Sequence, residues 1–206
     1  MDYLTIENKS EIEIIIQKSR FIGRAFPVSE EKEAISVLED IRKKHYDASH
    51  NCYAYRIGAL GNCARFSDDK EPSGTAGYPM MDTLIKKDVM DLLVVVTRYF
   101  GGILLGAGGL VRAYSKAASE AVDAASVMSM KMCTVFSLKI PYDTLPRVEN
   151  LLIGSVYIKV SSDYGEKVVM EVAVQKGQEQ KFLKELSDTS LGSIIPEISR
   201  EEYRKF

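Results

Sequence analysis

Residues 97–118, TRYFGGILLGAGGLVRAYSKAA, hold five glycines, Gly101, Gly102, Gly106, Gly108 and Gly109, within nine positions. The run before them, DLLVVVTRYF, has the continuous apolar character of a strand buried on both faces. The run after them spaces its apolar residues as a helix through about Ala125. The chain must therefore fold as a strand that ends in a glycine-dense hinge and restarts at once as a helix. Glycines ahead of a helix let a ligand approach the backbone, and the unpaired N–H groups of the first turn favour an anion, most often phosphate. Arg98 precedes the hinge, Arg112 and Lys116 follow it one turn apart, and no acidic residue lies between them. The expectation is an anion grip, with Arg98 closing it from below and Arg112 and Lys116 extending it along one helix face. The competing reading is that the glycines only permit close packing and the cations are a solvated face. Five interior glycines, each with an entropic cost, favour function. The spacing is neither G-x-G-x-x-G nor a Walker loop, since no Gly-Lys-Ser/Thr follows.

At 206 residues with 46% hydrophobic content, the chain fills one ordinary domain or two small ones. A net charge of -2 excludes a protein that holds nucleic acid by bulk positive charge, so an anion site must be local. Cys52, Cys63 and Cys133 lack C-x-x-C spacing and the first residues are acidic and polar, which predicts a cytoplasmic protein. LLVVV at 92–96 is far too short to span a bilayer, so no membrane association is expected.

Residues 11–28 read as a hairpin turning near Lys18 to Arg20, and Ser29 offers a cap for a helix with an Ile35, Leu38, Ile41 stripe. HNCYAYRI (50–57) and CARFS (63–67) read as strands, SDDKEPSGTAGYP (67–79) as loop, and Met80 to Lys87 as a helix. From about Ser129 the order becomes strand, helix, strand, strand, helix, strand, the ferredoxin-like βαββαβ grammar, with Gly165 free to take positive φ in its central turn. A boundary near 129–133 gives domains of 1–130 and 131–206.

The loop carries a second candidate chemistry. Asp68, Asp69 and Glu71 place three carboxylates in four residues, enough for a hard divalent ion, and His50 lies on a strand that can approach them. Against a metal, His50 and Cys52 have no second ligand pair. Ser73, Gly74, Thr75 and Gly77 supply small polar groups that can join the anion site. Tyr53, Tyr55, Tyr99 and Phe100 would stack bases if exposed, and belong to the core otherwise.

Taken together, DASHNCYAYRIG (47–58), SDDKEPSGTAGYP (67–79) and VVTRYFGGILLGAGGLVRAYSKAA (95–118) closely resemble the IMPACT/YigZ family, in the family's order. The resemblance implies an α+β protein: a ribosomal protein S5 domain 2-like first domain, then a ferredoxin-like domain similar to the last domain of elongation factor G. It covers nearly the whole chain. Matching positions include His50, Asn51, Asp68, Asp69, Glu71, Pro72, Gly74, Thr75, Gly77, Arg98, Tyr99 and all five hinge glycines. Lys70 stands where the family usually has Gly, and Tyr78 where it often has a basic residue; Lys70 is expected to half neutralise the acidic cluster. Eukaryotic members are implied to regulate translation by competing for the activator of a starvation kinase.

The expected function is a non-enzymatic, translation-linked binding protein that contacts RNA or the ribosome through the anion site and needs no cofactor or metal. The alternatives are a metal-dependent hydrolase using His50, Asp68, Asp69 and Glu71, or a regulator that docks a protein partner.

Overall fold

The computed structural model describes residues 2–205 and contains two compact units, one over Tyr3–Ser129 and one from Met130 onward. The first unit runs β1 (Tyr3–Ile6), β2 (Ser10–Ile16), β3 (Ser19–Pro27), α1 (Glu31–Lys44), β4 (His50–Ile57), β5 (Cys63–Ser67), α2 (Gly77–Lys86), β6 (Leu92–Tyr99) and α3 (Gly106–Ala124). Its sheet has the order β2-β3-β6-β4-β5, with every adjacent pair antiparallel.

The central strand β6 is covered on both faces, which explains its unbroken apolar run. Val94 and Val96 join α2 and α3 in one core, while Leu93 and Val95 join α1 in another. Helix α3 lies close on the sheet through Ala113, Ala117 and Ala121, all fully buried. Gly23 on β3 is required by that approach, since a Cβ there would sit 2.6 Å from the Ala117 carbonyl oxygen. Alternation then continues past the apolar part of β6, so Arg98 falls on the α3 face and Thr97 and Tyr99 on the α1 face.

Several expectations shift by a few residues. The β2–β3 turn is Gln17-Lys18, both at positive φ (45° and 62°), the backbone signature of a tight two-residue hairpin. Glu30, not Ser29, is the N-cap of α1, and Glu33 reaches back to accept the Ser29 N–H at 2.9 Å. Ile35 is exposed, and Ala34 takes its place in the buried stripe with Leu38 and Ile41. Helix α2 begins at Gly77 rather than Met80, and the short strand β1 was not foreseen.

The second unit runs β7 (Val127–Ile140), α4 (Leu145–Leu152), β8 (Ile158–Tyr164), β9 (Val168–Gln175), α5 (Glu179–Ser190) and β10 (Glu197–Lys205). Its strands pair antiparallel in the order β10-β7-β9-β8, the ferredoxin-like arrangement that the sequence order implied. Phe136, Leu138, Ile140, Met170 and Val172 pack on Val148, Phe182 and Leu186 of its two helices. Gly165 is not among the positive-φ residues; its N–H turns back to the Lys167 carbonyl at 3.3 Å. No helix of the described residues is long and apolar enough to cross a membrane.

Candidate functional site

The register of β6 sets Arg98 opposite Phe21 on β3 and His50 on β4. Arg98 is only 5% exposed, and its guanidinium stacks 5.4 Å from the ring centroids of Phe21 and Phe100. Nη1 donates to Glu71 Oε1 at 2.7 Å and Nη2 to Ser19 Oγ at 3.4 Å, while Nε is buried without a partner. Arg98 is therefore no open anion grip: its charge is already matched by a buried carboxylate from the 68–77 loop. Charge reversal there would set two carboxylates against each other inside the protein.

Glu71 is the hub of this cluster. Its Oε1 also accepts the Tyr114 hydroxyl at 2.7 Å, and His50 Nε2 lies 3.6 Å away. Burial, together with neighbouring Cys52 and Glu71, pushes the Tyr114 hydroxyl far above the usual phenol range, so it remains a donor. His50 Nδ1 sits 2.9 Å from the Asp69 carbonyl oxygen, which can only accept, so Nδ1 carries a proton. Among the described residues, the hydrogen bonds to the Glu71 side chain fall on Oε1.

The three carboxylates that suggested a metal site are dispersed to separate partners. Asp68 accepts the backbone N–H groups of Gly74, Ala76 and Gly77 at 2.8–3.0 Å, capping α2 from outside the helix. Asp69 accepts the Asn51 N–H at 2.6 Å and has Arg42 3.7 Å away. Glu71 pairs with Arg98. Among the described residues no three His, Cys, Asp or Glu groups converge on one point. Ser73 and Gly74 are exposed, Thr75 is buried with its hydroxyl donating to the Pro72 carbonyl, and the Gly77 N–H is held by Asp68. Thr75 and Gly77 thus serve the loop itself. Lys70 is exposed and forms no ion pair among the described residues; Arg42 and Arg98 do the neutralising expected of it.

The hinge glycines divide by role. A Cβ on Gly101 would lie 2.0 Å from the Lys18 carbonyl carbon, so the β2–β3 turn packs directly on it, and its N–H donates to Ser19 Oγ. Gly102 and Gly106 take φ of +85° and +68°, and a Cβ on Gly109 would crowd the Leu105 side chain. Gly108 differs: an added Cβ would meet nothing nearer than Arg112 Nη1 at 3.6 Å. The Arg112 guanidinium therefore lies back against the first turn of α3, where no side chain caps the N–H groups and no acidic residue stands. Gly106, Ala107 and Gly108 are exposed there. Arg112 forms no ion pair among the described residues, while Lys116 has Glu120 3.8 Å away.

Beside this turn opens a cavity of about 440 Å³. Its polar lining is Ser49, His50, Glu71 and Arg98 and its apolar lining includes Phe100, Leu104, Leu105 and Leu110, with Gly106 and Ala107 of the first turn of α3 also contributing. Arg112 and Lys116 line a separate, smaller cavity with Gln17 and Gly109. The three basic residues that read as one grip are thus split between two concavities.

On the α1 face, Arg24 has a contrasting set of partners. Its Nε donates to Glu11, Nη1 to Thr97 Oγ1 at 3.0 Å and Nη2 to His45 Nε2 at 2.8 Å. With Nε2 accepting, His45 Nδ1 carries the proton toward the Tyr99 hydroxyl at 2.9 Å, and Tyr99 donates to Asp47 at 3.1 Å. Burial, then the Arg24 charge, hold the His45 pKa below its usual value. Tyr55 is buried and Tyr53 and Tyr99 are half-buried; of the four aromatics only Phe100 is well exposed.

Tyr114, Ser19 and Leu104 were missed in the sequence. Tyr114 sits at helical spacing among Leu110, Ala113, Ala117 and Ala118 and reads as core, which it is, at 0% exposure. Its signal was the phenol itself, since a buried hydroxyl needs a partner.

The family model of the Impact N-terminal domain matches residues 17–122, and that of a domain of unknown function, DUF1949, matches 138–193. IMPACT family member YvyE of Bacillus subtilis is 40% identical over 190 residues, covering 92% of this chain and 88% of its own. IMPACT family member YigZ of Escherichia coli is 37% identical over 181 residues, covering 87% and 89%. A solved structure titled as a hypothetical protein aligns over 97% of this chain and 98% of its own, with a TM-score of 0.63 at 34% identity. The Protein IMPACT homolog of Dictyostelium discoideum is 41% identical over 93 residues, 44% of this chain and 27% of its own. Two family domains in succession, and full-length similarity to bacterial members, establish that the chain belongs to the IMPACT family.

Proposed function

We propose that this protein is a translation-linked binding protein that holds an RNA phosphate on the first turn of α3. The observation that carries the reading is the position of Arg112, whose guanidinium lies against an exposed, uncapped, acid-free helix start. Backbone N–H groups, the positive end of the helix dipole and a guanidinium fork are the three elements that bind phosphate without a cofactor. Relative to the sequence reading, Arg98 leaves the grip and Arg112 becomes its centre. Lys116, held near Glu120, adds a weaker charge further along the helix.

Co-sedimentation with purified ribosomes at low and moderate salt, wild type beside Arg112→Glu, tests the reading. Arg112 is exposed, so the variant folds. Association that weakens with salt and is lost in Arg112→Glu supports the site. Equal association of the two proteins, or none by wild type, removes it.

A further inference from the structure

We infer that the cavity between the Glu71 cluster and the start of α3 is a binding site for a free amino acid with an apolar side chain. Glu71 is a buried carboxylate, 7% exposed, and both donors that reach it from the protein, Arg98 and Tyr114, fall on Oε1. Among the described residues none donates a hydrogen bond to Oε2, in a residue that lines the cavity. His50 lines it too, and with Nδ1–H committed to the Asp69 carbonyl, its neutral form presents Nε2 as a second acceptor. Arg98 lines the cavity as well, but its charge is matched by Glu71 through Nη1, Nη2 donates to Ser19 and Nε is enclosed, so the open acceptors at this end are Glu71 Oε2 and His50 Nε2. This end of the cavity therefore offers two open acceptors beside the Arg98–Glu71 pair, which suit the N–H donors of an ammonium.

The opposite requirement stands at Gly106 and Ala107, which line the same cavity and belong to the uncapped first turn of α3. That turn favours a carboxylate. Phe100, Leu104 and Leu105 line the same cavity, Phe100 48% and Leu104 85% exposed, apolar surface that a hydrocarbon side chain would cover. Ammonium, carboxylate and aliphatic group on one small molecule describe an apolar α-amino acid. A volume of about 440 Å³ lies within the usual range of small-molecule sites. The inference draws on the same first turn of α3 as the phosphate reading, but on its Gly106 and Ala107 side, whereas Arg112 lines a separate cavity.

Calorimetry and thermal melting on the intact protein, without RNA, test it with three probes: L-leucine, N-acetyl-L-leucine, which lacks the ammonium, and isopentylamine, which lacks the carboxylate. L-Leucine is expected to bind and raise the melting temperature. Each of the other two should bind at least about tenfold more weakly, the loss of one charged hydrogen-bonded end. Glu71→Gln should abolish leucine binding. Because that change also disturbs the Arg98 pair, Leu104→Asp serves as the variant whose fold is safe, and it should weaken leucine at least about fivefold through lost apolar contact. No leucine binding by wild type overturns the inference, as does equal binding of isopentylamine or undiminished binding by Leu104→Asp.

Discussion

Two arginines, Arg24 and Arg98, are buried on opposite faces of the same sheet, 3% and 5% exposed, yet they are finished differently. On the α1 face every nitrogen of Arg24 has a partner, and the chain of donors runs outward through His45 and Tyr99 to Asp47. On the α3 face Arg98 keeps an unpartnered Nε, and its carboxylate partner lines an open cavity. A closed network holds a fold together. One left incomplete beside a cavity is where a ligand completes it.

Truncating each arginine should give the largest difference between the two faces. Arg98→Met strands Glu71, whose side chain is 2% exposed, and should cost about 3–5 kcal/mol in urea unfolding. Arg24→Met removes more hydrogen bonds but frees Glu11, whose side chain is 58% exposed and can rehydrate, so the expected cost is nearer 2 kcal/mol. An equal or reversed order would mean that bond number, not the burial of the abandoned partner, sets the cost.

A smaller effect separates the faces by pH. The His45 pKa is held below 6.5, so the unfolded chain takes up a proton near pH 6.5 while the folded one does not. Stability therefore falls as pH drops from about 6.5 toward the lower folded value. Glu11, whose carboxyl is held down chiefly by its hydrogen bond from Arg24, adds a second loss at lower pH, below 4.5 and through its own folded value. Thermal melts from pH 8 to 5 should show the first decline in wild type and little of it in His45→Gln.

Much of this was legible before the fold was known. The unbroken run of β6 announced a strand covered on both faces, the glycine hinge announced the start of α3, and the βαββαβ order appeared as read. What stayed hidden depends on contacts far apart in sequence. Arg98 looks free until Glu71, 27 residues earlier, is folded beneath it. Asp68 and Asp69 look like metal ligands until their backbone partners are seen. Gly101 looks like a hinge, and instead gives the Gln17-Lys18 turn the room to pack directly on it. Arg112 was named from spacing alone; that it folds back over Gly108 follows from the direction of helical side chains, a rule the sequence permits but does not decide.

Gly108→Asp probes the proposed phosphate site on the first turn of α3 without disturbing the fold. The position has room for a Cβ, and an acidic residue in a first helical turn is stabilising, so the variant should melt at or above the wild-type temperature. The same charge faces any phosphate bound there. The account predicts that affinity for a short single-stranded RNA falls at least about tenfold at low salt, with a shallower dependence on salt. A folded Gly108→Asp protein that binds RNA with unchanged affinity and unchanged salt dependence would contradict it.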